Sequence, residues 1–252
     1  MFNFTDKVVI VTGARTGIGL SAATLFAKAG AHVILAGHHE PKDEAQQLVD
    51  HGYSAVSFKC NVADPKDVAG MVKFAVAQFG HLDYAYNDAG IQSPVTDTAD
   101  LSVEEYDHVM DTNLKGMFLS MKYELRQMRA QGTPAAIVNC SSMGGLVGIA
   151  DRTAYHASKH GVLGLTKSSA LEYADRNVRI NAVCPGIIDT PMVARMDDTE
   201  RQEMDDLIRE IPMGRLAKPE EVAQVVLFLC SDAASYMAVS YTHLTLPTTE
   251  RV

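Results

Sequence analysis

The sequence contains no run of lysine or arginine residues and no apolar segment long enough to cross a membrane. Its net charge is −9 at pH 7, which argues against a nucleic acid or an anionic membrane as a general partner. The first residues lack the basic region and long apolar core of a signal peptide, so none is expected. We therefore expect no membrane association.

Cysteine is scarce and shows no paired spacing. Cys60, Cys140, Cys184 and Cys230 lie far apart in apolar segments, without a CxxC pair. This pattern predicts buried, reduced thiols rather than disulfides or metal ligands, and no metal site is expected. Reduced thiols and the missing signal peptide together favour a cytoplasmic location.

Short apolar runs alternate with segments of helical periodicity along most of the 252 residues. The predicted strands are Lys7–Thr12, Val33–Ala36, Ser54–Val62, Leu82–Tyr86, Ala135–Cys140 and Arg179–Cys184. Helices are predicted from Gly17 to Ala29, from Pro65 to Phe79, and over Val103–Arg129, Tyr155–Ala174 and Pro219–Cys230. Such alternation predicts a single α/β domain, a Rossmann fold with one doubly wound parallel sheet and helices on both faces.

A glycine-rich turn, TGARTGIG, follows the first predicted strand at Thr12–Gly19 and opens the first helix. Glycines permit a tight turn and let the backbone approach a pyrophosphate at the helix N-terminus. A merely structural glycine turn is the alternative, but the strand–turn–helix context favours a dinucleotide cofactor.

The acid that usually binds the adenosine ribose is missing at the end of the second strand, where Gly37 stands instead. Arg15 and His38 could supply charge or donors to a 2′-phosphate there. This favours NADP(H), with NAD(H) possible as the cofactor. An exposed loop pair is the alternative interpretation of His38 and His39.

The segment YHASK places Tyr155 and Lys159 four residues apart, which is one turn of a helix. A Tyr and a Lys at this spacing occur by chance on many helices, so the pair taken alone favours a solvated helix surface over an active site.

Several motifs in a fixed order resemble the short-chain dehydrogenase/reductase family. They are TGARTGIG, Asn61-Val62, the segment NDAG at Asn87–Gly90, Asn113, Ser141-Ser142, YHASK and the segment PGIIDT at Pro185–Thr190. The resemblance covers about Asp6 to Met237. It implies an NAD(P)-dependent oxidoreductase that interconverts a secondary alcohol and a ketone. The alternatives are a non-catalytic, dinucleotide-sensing binding protein and an inactive, truncated product.

The resemblance also implies roles for individual residues. Tyr155 matches the general acid/base, Lys159 the residue that holds the nicotinamide ribose, and Ser142 the partner of the substrate oxygen. Asn113 matches the residue that holds a water in a proton relay. The implied cofactor contacts are Gly13, Arg15, Thr16, Gly17, Ile18, Gly19, His38, Asn61, Val62, Asn87, Ala89, Gly90, Tyr155, Lys159, Pro185, Gly186, Ile188 and Thr190.

Two positions depart from the family pattern: Asn61 replaces an aspartate, and Asp88 replaces the second asparagine of the NNAG motif. We expect Asp88 to cost stability more than activity. The resemblance further implies a lid over the substrate near residues 193–213. It also implies a homodimer or homotetramer, in line with the wide apolar surface of the helix from Tyr155.

The end of the chain is unusual for the family, because no glycine follows Gly214 and the last residues are rich in threonine. We divide the chain into a dinucleotide-binding domain, residues 1–237, and an atypical tail, residues 238–252. One hypothesis is that the tail is a sequence artefact that replaces the last strand. Loss of the last strand would leave the sixth strand as an exposed sheet edge, unless Thr242–Leu246 pairs with the sixth strand.

Overall fold

A seven-stranded, all-parallel sheet forms the centre of the molecule. The structure, a computed structural model, describes residues 2–191, 208–209, 211–238 and 241–243. The strands are β1 (Val8–Thr12), β2 (His32–Gly37), β3 (Ala55–Lys59), β4 (Tyr84–Asn87), β5 (Ala135–Cys140), β6 (Val178–Cys184) and β7 (Tyr241–His243), in the order β3-β2-β1-β4-β5-β6-β7. Because β1 lies between β2 and β4, the chain reverses its direction of winding there and leaves a crevice at the carboxyl ends of these strands.

Helices flank the sheet on both faces, as the sequence predicts for a Rossmann fold. They are α1 (Gly17–Lys28), α2 (Lys42–Asp50), α3 (Pro65–Phe79), α4 (Val103–Met110), α5 (Gly116–Gln131), α6 (Thr153–Tyr173) and α7 (Pro219–Cys230). A π-helical turn, Asp111–Lys115, joins α4 to α5, so the long helix predicted over Val103–Arg129 is interrupted. The short helix α2 was not among the predicted helices.

Successive side chains of β1 enter two separate cores, which explains why the strand is apolar throughout. Val9 and Val11 belong to the core that α1 and α7 cover, whereas Val8 and Ile10 belong to the core under α3, α5 and α6. All four are fully buried. Burying each such side chain contributes roughly 1.5–3 kcal/mol. This double burial fixes the strand whose end carries the glycine-rich turn.

Local capping sets the limits of α3. The Asp64 side chain accepts a hydrogen bond from the Lys66 backbone N–H at 2.7 Å, and Pro65 occupies the first helical position. Gly80 ends the helix in a left-handed conformation with φ 87°. Both ends agree with the sequence prediction.

The tail contributes the edge strand. β7 pairs in parallel with β6, with Ala182 opposite Tyr241 and Cys184 opposite His243. The strand therefore begins one residue before the predicted Thr242–Leu246 segment, and β6 is not the exposed edge that the tail hypothesis implied. Whether the tail is an artefact stays a hypothesis.

The four cysteines are buried, as predicted. Within the part of the chain that the structure describes, no helix is long and apolar enough to cross a membrane. Most of the predicted lid, including residues 193–207 and residue 210, lies outside the described residues.

Candidate active site

A cleft with a volume of about 380 Å³ lies at the carboxyl ends of the central strands. This is within the usual range for a small-molecule site. Its lining includes Gly13, Thr16, Gly17, Ile18, Asp88, Gly90, Cys140, Ser142, Tyr155, Lys159, Pro185, Gly186, Ile188 and Thr190. Gln92, Val95, Met143, Gly144, Ile149, Asp151, Arg152 and His156 also line it. Most of the residues predicted from the motifs are therefore gathered around one space.

The glycine-rich turn is packed so tightly that side chains have no room. A Cβ on Gly13, where φ is 70°, would lie 2.9 Å from the backbone nitrogen of Ala89. A Cβ on Gly19 would lie 2.5 Å from the carbonyl oxygen of Gly13. Thr16 precedes α1 without a side-chain cap, so its side chain occupies none of the first N–H groups of the helix; the Gly19 N–H is taken by Asp88. This cradle fits the pyrophosphate of a dinucleotide.

Tyr155 and Lys159 lie one turn apart near the start of α6. The Lys159 ammonium is 5.7 Å from the centre of the Tyr155 ring and donates a hydrogen bond to the carbonyl oxygen of Cys140 at 2.9 Å. Lys159 is only 4% exposed. Burial lowers the pKa of Lys159, but nearby groups, with Tyr155 the largest contributor, outweigh burial and leave this pKa raised. The site therefore contains a buried cation next to a phenol.

Asn113 lies in the π-helical turn and ties the site together. Its side-chain oxygen accepts from the Ile91 N–H at 2.8 Å, and its amide donates to the Ile91 carbonyl at 2.9 Å and to the Ser158 hydroxyl at 3.1 Å. A Cβ on Gly90 would lie 3.2 Å from Asn113 Oδ1 and 3.5 Å from Lys159 Nζ. The Asn113 side chain thus clamps the segment after β4 against α6, and its predicted role in holding a water remains a prediction.

The two serines after β5 have different environments. Ser141 is buried and donates to the carbonyl oxygen of Lys159 at 2.9 Å, which is a structural contact. Ser142 lines the cleft, and its hydroxyl oxygen accepts from the Gly144 N–H at 3.0 Å. Because the Ser142 hydroxyl retains its proton for another acceptor, it suits the role predicted for it.

His156 follows Tyr155 on α6 and holds the wall of the cleft. Its Nδ1 accepts from the Ile149 N–H at 3.0 Å, and a Cβ on Gly144 would collide with its ring at 2.5 Å. Burial lowers the pKa of His156, so the ring is neutral with its proton on Nε2. No sequence motif marks this role, because it depends on the loop path after β5.

Asp88 lies on the floor of the cleft. Its Oδ1 accepts from the Tyr86 hydroxyl at 2.9 Å, and its carboxylate also accepts from the Gly19 backbone N–H. Burial raises the pKa of Asp88 to about 6, despite these hydrogen bonds and the nearby Lys159 cation. The carboxylate thus links the end of β4 to the glycine-rich turn at an electrostatic cost.

We expect Asp88→Asn to stabilise the fold at neutral and alkaline pH. Folding raises the pKa of Asp88 from 3.8 to about 6. The charged carboxylate therefore does not destabilise the fold below pH 3.8, and it destabilises the fold fully well above pH 6. The variant should raise the free energy of unfolding by on the order of 1–3 kcal/mol at about pH 8, and by little near pH 4. Urea unfolding at both pH values measures this. Asp175→Asn, at a side chain 86% exposed, is the control. A less stable variant at about pH 8 would contradict the expectation.

The predicted adenosine contacts lie apart from the cleft. Arg15 Nε is 3.8 Å from a carboxylate oxygen of Glu44, at the start of α2. Asn61 uses its side-chain oxygen to accept from the Ala63 N–H at 3.1 Å, and Val62 packs against Gly116. The predicted residues outside the cleft lining are Arg15, Gly19, His38, Asn61, Val62, Asn87, Ala89 and Asn113.

A protein-family model described as Enoyl-(Acyl carrier protein) reductase matches residues 13–244. Cyclohexanol dehydrogenase of Acinetobacter sp. (strain SE19) is 45% identical over 241 residues, covering 94% of this chain and 92% of that protein. The chain belongs to the short-chain dehydrogenase/reductase family.

Other members of the family agree in sequence and in structure. Cis-4-hydroxycyclohexanecarboxylate dehydrogenase of Sinomonas cyclohexanicum is 42% identical over 235 residues, with 93% of each chain covered. The crystal structure of levodione reductase superposes with a TM-score of 0.92 at 34% identity, covering 96% of this chain and 97% of that one. This short-chain dehydrogenase/reductase is thus an enzyme that acts on CH–OH groups, and its family implies a nicotinamide dinucleotide cofactor.

Proposed function

We propose that this enzyme interconverts a cyclic secondary alcohol and its ketone, with Tyr155 as the general acid/base. The observation that carries the proposal is the buried Lys159 cation, 5.7 Å from the Tyr155 ring in the cleft. The cyclic substrate is supported by the names of two relatives, a cyclohexanol dehydrogenase and a hydroxycyclohexanecarboxylate dehydrogenase.

In the proposed mechanism, the bound nicotinamide supplies hydride transfer, and the chain supplies orientation and the proton. Tyr155 takes the hydroxyl proton during oxidation and returns it during reduction. Lys159 favours the phenolate form through its positive charge. Ser142 donates its hydroxyl hydrogen to the substrate oxygen, where negative charge develops.

The substrate side of the cleft has walls that suit a small ring. Val95, Met143, Ile149 and Pro185 supply apolar surface, while Ser142 and Tyr155 supply the polar groups. A ring would contact this apolar surface and present one oxygen to Tyr155.

A substrate panel tests the function. Cyclohexanol, substituted cyclohexanols, linear secondary alcohols and the matching ketones are assayed with both cofactors at the nicotinamide absorbance. We expect turnover of ring substrates above that of linear ones of equal carbon number. Cofactor binding without any turnover would instead favour a dinucleotide-sensing protein. Circular dichroism and gel filtration would reveal an inactive product that fails to fold.

For the cofactor, we propose NADP(H) in preference to NAD(H), with both accepted. The support is the absence of an acid at Gly37, the end of β2, and the presence of Arg15 on the glycine-rich turn. The Glu44 carboxylate lies 3.8 Å from Arg15 Nε. A 2′-phosphate that binds Arg15 has to replace this carboxylate. The two residues thus oppose each other in setting the preference.

Accordingly, Glu44→Gln should increase the preference for NADPH. The ratio of kcat/KM for NADPH to that for NADH should rise roughly 2- to 5-fold, because an ion pair that solvent can reach contributes up to about 1 kcal/mol. Arg15→Ala should lower the ratio, and the exposed Glu172→Gln serves as the control. An unchanged ratio in Arg15→Ala would contradict the role of Arg15.

We also propose a cytoplasmic homodimer or homotetramer that pairs through α5 and α6. Phe118 on α5 and Leu171 on α6 are large apolar side chains that are 47% and 72% exposed. Exposed apolar surface of this kind is typical of subunit contacts.

A further inference from the structure

Glu124 is a buried acid that the proposed mechanism does not use. It lies on α5 with no exposed surface, and its Oε2 accepts a hydrogen bond from the Asn87 amide nitrogen at 2.9 Å. Burying a carboxylate costs several kcal/mol unless a cation or several donors compensate. No charged side chain in the described ranges contributes to the pKa of Glu124.

Two buried acceptors on this same pair of residues have no donor in the part of the chain that the structure describes. They are the second carboxyl oxygen of Glu124, Oε1, and the amide oxygen of Asn87, Oδ1. The amide orientation is well determined, because Asn87 Nδ2 donates both to Glu124 Oε2 and to Asn139 Oδ1, the latter at 3.2 Å. Reversing the amide would set its oxygen against two acceptors. One additional proton would satisfy both unpaired atoms.

We propose that Glu124 is a protonated positioning residue whose Oε1–H donates to Asn87 Oδ1, so that carboxyl and amide form a doubly hydrogen-bonded pair. This pair needs no compensating charge, and it explains how an acid is accommodated in the apolar core under α3, α5 and α6.

The pair supports both sides of the active site. Asn87 ends β4, and the residues that follow it include Asp88 and Gly90 of the cleft. On the other side, Asn139 donates to the Thr166 hydroxyl at 2.9 Å. Thr166 belongs to α6, the helix that carries Tyr155 and Lys159. A proton on Glu124 thus holds the floor of the cleft and the catalytic helix in one polar network.

The surroundings of Glu124 make this network sensitive to alkaline pH. Burial raises the pKa of Glu124 to about 7, against the opposing hydrogen bond from Asn87. The groups that face the network are Asn87 from β4, Asn139 from β5, Thr166 from α6 and Cys60 after β3. The pKa of Cys60 is raised to about 12, chiefly by burial, so this thiol stays neutral. Since the folded pKa of Glu124 is raised, its proton supports the fold at low pH and is lost as pH rises through about 7.

The test compares Glu124→Gln with Glu124→Leu in the full-length chain. Glutamine supplies a permanent donor in place of Oε1–H, whereas leucine supplies neither donor nor acceptor. At about pH 6, Glu124→Gln should match the wild type in melting temperature and in cofactor dissociation constant. At about pH 9, the wild type should bind the cofactor several-fold more weakly than Glu124→Gln at the same pH, a comparison in which the ionisation of Asp88 is common to both proteins. Glu124→Leu should be impaired at both pH values.

Infrared difference spectroscopy provides an independent measurement. In an Asp88→Asn background, which removes the other carboxyl with a raised pKa, the protein should show the carbonyl stretch of a protonated carboxyl at about pH 6. Adding Glu124→Gln should abolish this band, and adding Asp175→Asn should leave it. Two results would overturn the proposal: no such band in the Asp88→Asn background, or Glu124→Gln as impaired as Glu124→Leu at about pH 6. Both the band and the melting temperature can be read without substrate.

Discussion

Replacing Tyr155 by phenylalanine should lower kcat by roughly 10²- to 10⁴-fold, because general acid/base catalysis contributes about that much. The substitution removes only the hydroxyl, and the ring keeps its place on α6 beside Lys159. Cofactor affinity should therefore change little. Initial rates with a cyclic alcohol give kcat, and cofactor titration of the same preparation gives the dissociation constant.

The matched control is Tyr236→Phe, since Tyr236 is fully exposed and is not among the residues that line the cleft. Near-normal turnover in the Tyr155 variant would remove this residue from the mechanism. Lost turnover together with lost cofactor binding would instead indicate damage to the site as a whole.

Replacing Lys159 by methionine should weaken cofactor binding and turnover together. The ammonium is buried beside Tyr155, and methionine keeps most of its volume without the charge. We expect kcat to fall on the order of 10²-fold, because the phenolate loses its neighbouring cation. We expect the cofactor dissociation constant to rise by roughly 10- to 100-fold, since a charged donor contributes about 1.5–3 kcal/mol.

A loss of folding would be a trivial explanation, and the structure provides a check. Because the pKa of Lys159 is raised, the fold favours its charged form, so Lys159→Met should lower the melting temperature, and both kcat and cofactor affinity are measured well below the unfolding transition of the variant. Lys167→Met on the same helix is the control for losing a lysine from α6. A variant that folds and binds cofactor normally would contradict the role of Lys159. The double variant with Tyr155→Phe should be no slower than the slower single variant, as for residues that act as a unit.

Most of the fold was predictable because local sequence and tertiary structure agree. Ala135–Cys140 and Pro219–Cys230 have the predicted limits, and so does α3. The π-helical turn was not predictable, because the contacts there join Asn113 to Ile91 and Ser158, which are distant in sequence. The short helix α2 buries only Ala45 and Leu48, too few residues for a periodic signal.

The candidate site was predictable where motifs follow strands. Parallel strands end at one edge of the sheet, and for this reason the residues after β1, β4, β5 and β6 converge on one cleft. The family prediction is confirmed by the comparisons. The contributions of His156, Glu44 and Glu124 were missed, because each depends on a contact between segments whose separation carries no sequence signal.

The strand order also has a kinetic consequence. The glycine-rich turn is synthesised early, but Gly13 packs against Ala89, which follows β4, and Asp88 receives the Gly19 N–H. Until β4 has paired with β1, the glycine-rich turn lacks its contacts with Asp88 and Ala89. Bringing these two distant parts of the chain together costs conformational entropy before the contacts between them can form. This cost slows folding. We infer that nascent chains shorter than about the end of β4 cannot retain the cofactor, so the nucleotide cannot serve as an early template for folding.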